Sequence, residues 1–76
     1  MNQIRLTILV HDAWRDRFTQ VVERCRSAGL QVERELGSVG VITGCMDEGG
    51  VEVLRGVEGV SAVEPERSQR AYRAPD

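Results

Sequence analysis

Seventy-six residues carrying 10 arginines, no lysine and 12 carboxylates make one small domain of net charge −2. That length excludes a second lobe, a barrel enzyme and a doubly wound nucleotide fold. The charge balance excludes a general nucleic-acid binder, which needs a basic face. The missing lysine removes Schiff-base chemistry and a lysine ligand for phosphate.

From Gln3 to Val10 the residues alternate. Ile4, Leu6, Ile8 and Val10 face one way and Arg5 and Thr7 the other, which predicts a half-buried strand. Leu9 is apolar on the polar side. The strand starts almost at Met1, so no signal peptide fits in front of it. No apolar run approaches the ~18 residues of a membrane span. The expectation is a cytoplasmic chain with no membrane partner.

His11-Asp12 breaks the strand, and Asp12 is a candidate cap for a helix over Ala13–Ala28. Its apolar stripe is Trp14, Phe18, Val21, Val22 and Cys25, recurring at helical spacing, and Gly29 stops it. Leu30 to Leu36 alternates again, with Glu33 and Glu35 on the polar side. Gly37-Ser38 predicts a turn, and Val39 to Thr43 a third strand. So short a connection allows only an antiparallel hairpin. This third strand is apolar on both faces, with Val39 and Val41 on one and Ile42 on the other.

Asp47 opens a shorter helix whose inner stripe is Val51, Leu54 and Val57. Glu58-Gly59 ends it. Val60, Ala62 and Val63 form a fourth strand that Pro65 closes. Residues 66–76 are polar and aperiodic and read as a mobile tail after a domain over 1–65.

The order is strand, helix, strand, strand, helix, strand. Right-handed crossovers then give a ferredoxin-like α+β sandwich, a βαββαβ unit with a four-stranded antiparallel sheet and both helices on one face. The other face is expected to be bare. Leu9, Ile42 and Val63, interleaved with Arg5, Thr7, Glu33 and Glu35, are its expected residues and form a candidate docking surface.

Chemistry has few parts here. A lone histidine, His11, and two cysteines, Cys25 in the core and Cys45 on a loop, match no metal-ligand spacing. The expectation is a non-enzymatic protein with no metal and no cofactor. The fold also serves metal-chaperone domains, but the first loop, Val10-His11-Asp12-Ala13-Trp14, lacks their cysteine pair.

The segment Val53-Leu54-Arg55-Gly56-Val57-Glu58-Gly59-Val60-Ser61-Ala62-Val63-Glu64 resembles the closing helix and strand of subtilisin propeptides and of the stand-alone peptidase inhibitor I9 family. The helix around Phe18, Val21 and Val22 and the strand Gly40-Val41-Ile42-Thr43-Gly44 fit the same layout. The resemblance spans residues 3 to about 72. It implies a partner, a subtilisin-like serine protease. The open sheet face would lie on two of its surface helices. The tail would run extended through its cleft, with Tyr72 in the primary specificity pocket and Ala71, Arg70 and Gln69 behind it. The implied function is that of an inhibitor or folding assistant. The alternative is a small regulatory or ligand-binding ferredoxin-like domain, a homodimer through the sheet face.

The chain also resembles short bacterial chains that carry the name ketohydroxyglutarate aldolase. A lysine-type aldolase needs an amine and a metal-type one several ligands, and the sequence holds no lysine and one histidine.

Overall fold

A computed structural model of the chain describes residues 2–66. The alternating segment Gln3–Val10 forms strand β1, with Leu6, Ile8 and Val10 buried. Its chain neighbours follow as helix α1 (Phe18–Ser27), strands β2 (Gln31–Leu36) and β3 (Val41–Asp47), helix α2 (Val51–Arg55) and strand β4 (Val60–Pro65). The strands lie in the order β2-β3-β1-β4, and each pairs antiparallel with its neighbour. This is the ferredoxin-like α+β sandwich.

The core sits between the sheet and the two helices. Val21, Val22 and Cys25 of α1 and Val51 and Leu54 of α2 cluster with Leu6, Ile8, Val10, Ile42, Met46 and Val63 from the strands. Non-polar area removed from water stabilises this cluster at roughly 25 cal/mol per Å². Trp14 and Phe18 pack on its rim.

The segment before α1 is tighter than the sequence predicts. Asp12–Arg17 winds as a 3-10 helix, and the α-helix starts only at Phe18. Asp12 does not cap it. No side chain closes this N-terminus, and Asp12 instead lies 3.5 Å from Arg15. Trp14 donates its backbone N–H to His11 O at 2.8 Å, the short-range bond by which uncapped ends satisfy themselves. Before α2, Asp47 closes a short 3-10 turn over Glu48–Gly50, its Oδ2 accepting the Gly49 N–H at 3.0 Å, and α2 itself starts uncapped at Val51.

Three expected open-face residues lie on the other side. Ile42 pairs with Ile8, and both are fully buried. Val63 also pairs with Ile8 and is 6% exposed. Directly paired residues share a face, so both belong to the core. Two β-bulges misplace Val63 and Glu35. The β1–β4 register shifts between Leu9 and Val10, leaving Ser61 as the extra residue and resetting the parity of β4. The β2–β3 register shifts between Val32 and Arg34, so Glu33 and Glu35 no longer share a side. Glu35 pairs with Ile42 and reaches Arg26 of α1 at 3.6 Å, on the helix side.

The β2 bulge also explains Gly44. A Cβ on Gly44 would lie 2.3 Å from Gln31 O and 3.1 Å from Val32 Cα, which are backbone atoms that cannot swing aside. Gly44→Ala should therefore cost about 2–3 kcal/mol in urea unfolding. Gly56→Ala, whose Cβ would meet nothing nearer than 3.6 Å, should stay within about 0.5 kcal/mol of the parent.

Candidate functional site

Residues opposite to the core define the second sheet face. Among the described residues no element covers it: both helices belong to the core side. Its side chains fall into rows that run across the strands. Leu36 pairs with Val41, Val41 with Leu9, and Leu9 with Ala62, giving one apolar row from edge to edge. Leu36 is 38% exposed, and Leu9, Val41 and Ala62 are half-buried. The next row is polar: Arg34, Thr43, Thr7 and Glu64. Below it, Arg5 pairs with Cys45 and bonds Glu33 at 2.6 Å.

Four of the expected residues, Arg5, Thr7, Leu9 and Glu33, therefore share this face. The sequence reading missed Val41, Leu36, Ala62, Arg34 and Glu64. Their signal was pairing register, which a bulge hides from a single strand's pattern. Gln69, Arg70, Ala71 and Tyr72 lie outside the described residues.

The face is neither wholly apolar nor paved with charge. Arg5 and Glu33 are about half-exposed, so their ion pair contributes at most ~1 kcal/mol. It ties Arg5 on β1 to Glu33 on β2, across the intervening strand β3. Arg34 and Glu64 are exposed and enter no ion pair with another described residue. Three strand spacings separate them, ~14 Å, too far to meet within one chain. Beside this face, a cavity of about 300 Å³ opens between the end of α2 and edge strand β4, lined by Arg55, Val60, Ser61, Ala62 and Val63.

The nucleophilic and metal-binding groups do not converge. Cys45 is not on a loop; it sits in β3, half-buried on the open face, with Sγ 3.9 Å from Gln31 Oε1. His11 follows the far end of β1, six residues from the Arg5 position that Cys45 pairs with, or ~20 Å along the strand. No thiol–imidazole pair can form across that distance. Among the described residues no three His, Cys, Asp or Glu side chains gather around a metal position, and no helix is long and apolar enough to cross a membrane.

Searches of protein-family models, curated proteins and solved structures return no match to this chain.

Cys25 is fully buried on α1, and desolvation pushes its thiol up from 9.0 to about 11. A buried neutral thiol is a poor nucleophile. Thiol titration at pH 8 should count Cys45 in the native protein and Cys25 only after unfolding. The raised value also fixes a pH dependence. The folded state holds the Cys25 proton more tightly than the unfolded state, so stability is complete below about pH 9 and falls as pH rises toward about 11. The urea midpoint should decline over that window, and Cys25→Ala should remove that part of the slope.

Proposed function

We propose that this chain is a non-enzymatic docking protein, an I9-like inhibitor or folding assistant of a subtilisin-family serine protease. One observation supports the reading above the rest: a ferredoxin-like sheet whose uncovered face bears the apolar row Leu36, Val41, Leu9 and Ala62. A shallow apolar strip bordered by polar residues suits contact with another macromolecule's surface. The layout from α2 through β4 is the part of the chain on which the propeptide resemblance rests, and its strand ends beside that face.

In this reading the sheet face lies on two protease helices. Leu9 and Val41 fill the centre of the contact. Glu64, exposed in the polar row, meets the N-terminus of one helix, an interaction of ~0.3–1 kcal/mol. The residues after Glu66 enter the cleft as an extended strand, with Ala71 and Tyr72 nearest the catalytic serine. Folding assistance follows from mass action, because a ligand that binds only the native protease favours it over unfolded forms. The reading carries a cytoplasmic location, so the target is an intracellular protease.

Titration into a subtilisin assay tests this. The full chain should inhibit in the micromolar range or below. A chain ending at Glu66 should lose inhibition, because only the sheet contact remains. Leu9→Arg should weaken inhibition at least ~tenfold, since it puts a charge at the centre of the contact. No inhibition by the full chain at tens of micromolar, across several proteases of the family, would sink the reading.

A further inference from the structure

We propose that the open face is self-complementary and that a second copy of this chain covers it in a weak, reversible two-fold dimer. The argument is the placement of charge. Arg34 stands on edge strand β2 and Glu64 on the opposite edge strand β4, in the same row and on the same face. Neither pairs with another described residue.

Consider two copies stacked face to face about a two-fold axis that lies between the sheets and runs along the strands. The rotation exchanges the two edges and keeps every row at its own height. Arg34 of each copy then comes over Glu64 of the other, twice. The apolar row meets its own image in reverse, so Leu9 lies over Val41 and Leu36 over Ala62. Sheets packed in this way keep their strands within about 30° of each other. One row lower, Gln31 comes over the second copy's Glu66, a neutral partner, while Glu33, in the bulge beside Arg34, keeps its ion pair with Arg5 at 2.6 Å. An axis across the strands fails the same test. It would lay Glu64 against the second copy's β4, which holds no cation.

The size of the face sets the strength. Four strands and three rows span about 20 by 17 Å, so roughly 700 Å² in total is buried, below the ~1,200 Å² of standard stable interfaces. The dimer is therefore weak and reversible. Self-association does not need the protease reading. Joined to it, self-association adds regulation, because the dimer hides the face that the protease requires.

A charge-exchange experiment decides the matter. Sedimentation equilibrium of the full chain should show dimer growing in through the micromolar range and weakening with salt. Arg34→Glu alone, or Glu64→Arg alone, places like charges at both contacts and should leave monomer, each variant keeping the parent's circular dichroism. An equimolar mixture of the two variants places opposite charges at both contacts and should restore dimer. A parent that stays monomeric into the high-micromolar range overturns the proposal. So does a dimer that survives either reversal, or a mixture that fails to restore it. None of these outcomes bears on protease inhibition, which the titration measures separately.

Discussion

The alternation of β1 is the constraint on which the remaining structure depends. Leu6, Ile8 and Val10 turn into the core, so Arg5, Thr7 and Leu9 must turn out. β1 is one of the two inner strands, with β3 on one side and β4 on the other, so its parity is transmitted by pairing to both. Ile42 and Val63 are drawn inward by Ile8, and Val41 and Ala62 outward by Leu9. The two right-handed crossovers then place both helices on one side. Among the described residues no further element lies on the other side. The bare face of this part of the chain is thus a consequence of topology.

What that face offers, among the described residues, is a surface for contact. Its groups of chemical interest are dispersed: Cys45 near one end of the sheet, His11 beyond the other, Cys25 sealed beneath α1. Its continuous feature is the row of aliphatic side chains that reaches both edges, followed by a row with a cation at one end and a carboxylate at the other. Such a surface gains from exclusion of water and is oriented by its charges. A protease surface and a second copy of the chain would compete for it.

The fold was legible because its signals are local. Period two in β1, helical spacing from Phe18 to Cys25 and the short β2–β3 connection are each read within a few residues. The site was half legible. Arg5, Thr7 and Leu9 follow from β1 alone, because β1 pairs with β3 without a shift and its parity is plain. Glu35 and Val63 were assigned to the wrong face because bulges at Glu33 and Ser61 change parity in mid-strand. Ile42 fails for a different reason. Taking Val39 as the strand's start and Thr43 as its end hid the run Ile42, Gly44, Met46, all buried and all on the core side. Gly44 is a strand residue without a side chain, and so admits the Gln31 carbonyl. Arg34 and Glu64 could be placed together only through three successive pairings across the sheet.

The most direct measurement of the central claim is a residue-by-residue map of amide chemical shifts on adding a catalytically inactive subtilisin. If the uncovered face is what binds, the shifts gather on Thr7, Leu9, Val41, Thr43, Ala62 and Glu64, while the amides of α1 stay in place. Shifts centred on α1 and α2 with the sheet amides undisturbed would contradict the account.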